Sequence, residues 1–93
     1  MIIGVLRIEI LIPGARSLKD KRKVVKSLKD RIKNKFNVSV AEVDYSEKWQ
    51  RSMIGIVQVG NETRNIEKNL NSIYNLLLEN YNIQILDRLI EFY

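Results

Sequence analysis

The sequence predicts an α+β domain of element order β-α-β-β-α-β, on three observations. Two stretches, from Ser17 to about Asn34 and from Thr63 onward, repeat their apolar residues at helical period. Strand-like alternation flanks each of them. Between the helices, two strand patterns stand back to back across a short polar connection, the mark of an antiparallel hairpin. A chain of 93 residues, 45% of them hydrophobic, makes a single domain over 1–93 and can bury a modest core without staples.

Met1 to Ile12 reads as the first strand. Ile2, Gly4, Leu6, Ile8, Ile10 and Ile12 fall on one face, and Ile3, Val5, Arg7, Glu9 and Leu11 on the other. The first face is wholly apolar and belongs against helices. Pro13-Gly14 ends the strand, since proline cannot donate to a ladder and glycine frees the backbone. Ser17 followed by Asp20 has the form of a capping box, which starts the first helix. Leu18, Val25, Leu28, Ile32 and Phe36 make its apolar stripe, with Val24 at the margin. Phe36 to Tyr45 reads as the second strand, with Val38 and Val40 on one side and Ala41 and Val43 on the other. Residues 46–50 form the connection and carry the only tryptophan, Trp49. The third strand runs from Arg51 or Ser52 to Val59, Met53, Val57 and Val59 alternating against Ile54 and Ile56. Residues 60–63 are turn and cap chemistry. Ile66, Leu70, Ile73 and Leu77 then mark the second helix, Asn80 and Asn82 bracket its exit, and Ile83 to Phe92 is the final strand.

This order is the split-βαβ, ferredoxin-like arrangement: a four-stranded antiparallel sheet with both helices on one face. The opposite face is then open and carries Ile3, Val5 and Leu11 beside Arg7 and Glu9. Apolar side chains on an uncovered face invite a partner, and a homo-oligomer, a dimer first, is the expected use of this one.

Composition narrows the chemistry. The chain has no cysteine and no histidine, which excludes disulfides, Cys or His metal sites, thiol nucleophiles and an imidazole base. No metal, no cofactor and no enzymatic activity are expected. No apolar run approaches the roughly 18–20 residues of a membrane span, and the apolar start lacks the basic flank of a signal peptide, so the expected address is cytoplasmic.

The net charge of +5 is unevenly spread. Residues 16–35 hold ten basic side chains against two acids, a balance of +8, which leaves −3 for the remainder. On the first helix, Lys19, Arg22, Lys23, Lys26, Lys29 and Lys33 occupy an arc of roughly 120° away from the apolar stripe, interrupted only by Asp30. Such a face can meet several phosphates of a structured RNA without reading its sequence. The plainer alternative is a solvated helix dressed with lysine.

Pro13-Gly14-Ala15-Arg16-Ser17-Leu18-Lys19-Asp20-Lys21-Arg22, Phe36-Asn37-Val38-Ser39-Val40-Ala41-Glu42-Val43-Asp44 and Trp49-Gln50-Arg51 closely resemble the signatures of the YlxP-like family of uncharacterised small bacterial proteins. The resemblance runs from the first residue to about Gly60. It implies a ferredoxin-like fold and supplies no reaction or catalytic residue. Genes of this family often lie beside those for translation initiation and ribosome-binding factors, which implies ribosome or RNA biology.

Other candidate sites are weaker. Arg16 stands before a helix N-terminus, where an anion can sit. It resembles the phosphate-binding arginine of acylphosphatase in that residue alone, and a Pro-Gly turn with a capped helix explains the loop equally well. Glu42 and Asp44, two apart on a strand, are expected to share a face and to be salt-bridged strand-end residues. Trp49, flanked by Lys48 and Arg51, can stack on a base, anchor a protein or fold over the core end. Tyr45, Tyr74, Tyr81 and Tyr93 show no convergent pattern. An RRM is not expected, because that domain stacks bases on sheet aromatics whereas Ile3, Val5, Ile54 and Ile56 make the expected open face aliphatic.

Overall fold

The computed structural model, which describes residues 1–80 and 82–93, has strands β1 (Ile2–Leu11), β2 (Ser39–Asp44), β3 (Arg51–Gly60) and β4 (Gln84–Phe92) and helices α1 (Leu18–Lys35) and α2 (Thr63–Leu78). Their order is the expected one. The strands form one antiparallel sheet in the order β2-β3-β1-β4, the ferredoxin-like topology.

Side-chain alternation on β1 sets the layering. Leu6, Ile8, Ile10 and Ile12 are buried against the helices, while Ile3, Val5, Glu9 and Leu11 are half-buried and Arg7 is exposed on the other side. Val25, Leu28 and Ile32 of α1 and Ile66, Leu70, Ile73 and Leu77 of α2 close the core from above. Each fully buried Leu or Ile contributes about 1.5–3 kcal/mol, which makes this single layer of contacts the main source of stability. Gly4 is required where β1 passes under α2: a Cβ there would lie 2.2 Å from Ile66 Cγ2.

Four details differ from the sequence reading. Ile54 and Ile56 do not face out. They pair with Ile8 and Leu6 and are buried, so the open face of β3 is Met53, Gly55, Val57 and Val59. The second strand begins at Ser39, not Phe36, because Phe36 and Val38 leave the helix to pack on the core margin. The Gly60–Thr63 turn offers no side-chain cap to α2, whose N-cap is Glu62. Glu42 and Asp44 do not share a face. A bulge at Val43 shifts the register from Glu42↔Ile54 to Asp44↔Met53, turning Glu42 toward the helices and Asp44 toward the open side. Of the tyrosines left without a pattern above, Tyr81 lies outside the described residues.

Candidate nucleic-acid interface

α1 begins as its sequence dictates. Ser17, extended at the N-cap, accepts a hydrogen bond from the Asp20 N–H at 3.0 Å. Asp20 in turn accepts from the Arg16 N–H at 3.1 Å, one residue further back than in a strict capping box. A carboxylate of the chain itself thus occupies the helix N-terminus, where the Arg16 reading would seat a phosphate. The Arg16 side chain is exposed.

The six candidate phosphate contacts are on the outer side of α1: Lys19, Arg22, Lys23, Lys26 and Lys33 are exposed and Lys29 is half-buried. From Lys19 to Lys33 they span about 21 Å of helix axis. Among the described residues Lys26 is the one of the six held by an acid, its Nζ lying 2.8 Å from Asp30 Oδ2. That hydrogen bond holds the Asp30 carboxyl below its ordinary range and raises the Lys26 ammonium. Both therefore stay charged at neutral pH, and Asp30 subtracts from the cationic surface.

Lys21 is the α1 cation that is buried away from that surface. It is 1% exposed, and its Nζ lies 2.7 Å from a Glu42 carboxylate oxygen. It also donates to the Tyr45 carbonyl, while the Ser52 hydroxyl donates to the same Glu42 oxygen. The sequence reading passed over Lys21 as part of the charge run. Its place in the apolar stripe was nevertheless visible, because Lys21, Val25, Leu28 and Ile32 are spaced 4, 3 and 4 apart.

This cluster joins α1 to the β2–β3 connection. Tyr45 has φ 62°, a left-handed conformation that costs a tyrosine about 1 kcal/mol or more. Lys21 holds its carbonyl, the Asp44 carboxylate accepts from its N–H at 2.7 Å, and the Arg51 guanidinium lies 4.1 Å from its ring centre. Gln50 ties the connection to the β1–α1 loop by donating to the carbonyls of Pro13 and Ala15 at 3.2 and 3.0 Å.

The remaining candidates separate clearly. Arg51 is engaged within the chain: Nε and Nη2 donate to one Glu9 oxygen at 3.0 and 2.7 Å, and that contact keeps its pKa raised. Trp49 is 54% exposed, so it does not close the core end; it lies beside Leu11, Lys48 and Arg51 at the open side of the sheet. Ile3, Val5 and Leu11 share the open face, as expected. They are on the opposite side of the sheet from α1 and take no part in its cationic surface. Among the described residues no three carboxylates converge as a metal site would need, and no helix is long and apolar enough to cross a membrane.

A ferredoxin-like domain with one strongly cationic helix is the class these features define. The model of a family described as "Protein of unknown function (DUF503)" matches residues 3–90, and the chain belongs to that family. Over 71 residues it is 42% identical to the uncharacterized protein YlxP of Bacillus subtilis (strain 168), covering 76% of this chain and 77% of that protein. Among solved structures it superposes on the structured domain of Drosophila melanogaster Boca with a TM-score of 0.57. That match spans 94% of this chain and 95% of the other at 14% identity, a likeness of fold.

Proposed function

We propose that the protein is a non-enzymatic binding module that contacts structured RNA, such as that of ribosomal particles, through the outer face of α1. The observation that carries this reading is the row of six cations from Lys19 to Lys33, five of them exposed, on a capped helix; among the described residues only Lys26 of the six has an acidic partner. The helix fixes the spacing of these cations along its axis, and each phosphate neutralised releases counterions. The absence of histidine and cysteine from the sequence favours binding over catalysis.

Filter binding to a structured RNA across a salt series tests the proposal. Each lost phosphate contact lowers the slope of log affinity against log salt by about 0.7–0.9. The triple reversal Arg22→Glu, Lys26→Glu, Lys33→Glu is therefore expected to flatten the slope by roughly two or more and to weaken binding at least tenfold at low salt. An unchanged slope would overturn the assignment.

A further inference from the structure

The open face of the sheet has a charge and a shape of its own. Register places Ile3, Val5, Arg7, Glu9 and Leu11 of β1 beside Met53, Gly55, Val57 and Val59 of β3. Ala41, Val43 and Asp44 of β2 flank them on one side, and Asp87, Leu89 and Glu91 of β4 on the other. A groove of about 460 Å³ crosses this face between Val5, Val57, Met53, Ala41 and Val43, with Arg7, Ser39 and Asp44 also in its lining. Gly55 forms its floor; a Cβ there would meet Val43 Cγ1 at 2.9 Å, so the groove exists because this position has no side chain.

The strands of this face carry Arg7 and Arg51 against Glu9, Asp44, Asp87 and Glu91, a net −2 on a protein of net +5, with Lys48 beside Trp49 at its end. Arg51 is taken by Glu9, and Arg7 reaches Glu91 only at 3.8 Å; among the described residues neither Asp44 nor Asp87, one on each flank of the apolar centre, has an ion-pair partner within 4 Å. A phosphate backbone is repelled by such a surface. A second copy stacked face to face would set −2 against −2. The complementary occupant has apolar side chains flanked by Lys or Arg.

We infer that the open sheet face docks an amphipathic, basic α-helix of another protein. Four strands about 4.8 Å apart, three of them nine or ten residues long and β2 six, make a face of about 19 by 30 Å along its longer strands, which accepts one helix about 10 Å across with room for a flanking cation on each side. The helix completes a second layer over the sheet, as α1 and α2 do on the other side. Its apolar row enters the groove over Gly55, and its cations reach Asp44 and Asp87.

Trp49, the only tryptophan, stands at the end of this face beside Leu11 and reports occupancy by its fluorescence. The probe is a synthetic 18-residue peptide of leucine and lysine with all leucines on one helical face, titrated into the full chain. Saturable one-to-one binding is expected, weakened at least tenfold by the double variant Ala41→Lys, Asp87→Lys, whose positions are both exposed and outside the core. Equal binding of a scrambled peptide of the same composition would overturn the inference, as would unchanged affinity in the double variant. So would a doubled mass in sedimentation that Ala41→Lys returns to the monomer value, because a second copy would then cover the face.

Discussion

Lys21 has the most to lose from a single substitution. Its ammonium lies 2.7 Å from Glu42, at 1% exposure, and Glu42 is itself mostly covered. Removing one member of a buried pair leaves the other charged and unsolvated, at about 3–5 kcal/mol. Glu42 keeps some solvent contact and the Ser52 hydroxyl, so Lys21→Ala belongs near the lower end of that range. The double variant Lys21→Met, Glu42→Leu is expected to recover part of the loss, since it removes both charges and keeps the volume. Urea unfolding of Lys21→Met, Glu42→Leu and the double variant checks this; a double variant as unstable as the sum of these singles would show that the pair is not coupled.

At the scale of elements, α1 serves two purposes with opposite faces, and its cationic face is self-repelling. Lys19 stands three and four residues from Arg22 and Lys23, and Lys29 repeats the pattern with Lys26 and Lys33; such like-charged neighbours each cost about 0.2–0.5 kcal/mol. Asp30 relieves part of this through Lys26. Asp30→Asn is therefore expected to leave the fold intact and to tighten RNA binding, steepening the salt slope by about one half to one contact. The measurement is the same salt series used for the reversal variant, and weaker binding by Asp30→Asn would count against the α1 surface. Helix periodicity made this face readable from sequence, because 100° per residue separates it cleanly from Val25, Leu28 and Ile32. Strands were less legible. Period two divides β3 into Ser52, Ile54, Ile56 and Met53, Gly55, Val57, Val59, but both sets are largely apolar. Only the pairing with β1 shows that the first is buried. A single bulge residue, Val43, then reverses the alternation between Glu42 and Asp44, and a one-residue shift of that kind leaves no mark in composition. Lys21 sat in the apolar stripe all along and was hidden by the lysines around it.

The whole molecule is electrically divided: a +8 segment lies on the helix side of the sheet, which it shares with α2, and the strands of the other face carry a net −2. Attraction across the sheet is small, because the two sides are separated by the sheet and core, and solvent screens charges beyond about 10 Å at 0.1 M salt. Repulsion within residues 16–35 acts at shorter range and exceeds it, so the native state is under electrostatic tension that salt relieves. Raising sodium chloride from about 0.02 to 0.5 M is thus expected to stabilise the protein by about 1 kcal/mol, equivalent to a Tm rise of roughly 4–8 °C for a domain of this size. Calorimetry or circular dichroism reads this directly, in chloride salts to avoid the general stabilisation given by sulfate. The Arg22→Glu, Lys26→Glu, Lys33→Glu variant supplies the decisive comparison. It turns the repelling pairs with Lys19, Lys23 and Lys29 into attracting ones without touching the core, at the cost of the Lys26–Asp30 ion pair, so its Tm should be close to or above that of the unaltered protein at low salt and less dependent on salt. A reversal variant that is less stable at low salt and keeps the full salt response would show that the cations of α1 are not in mutual tension. They would then contribute to the fold, and the case for a surface held ready for phosphate would weaken with them.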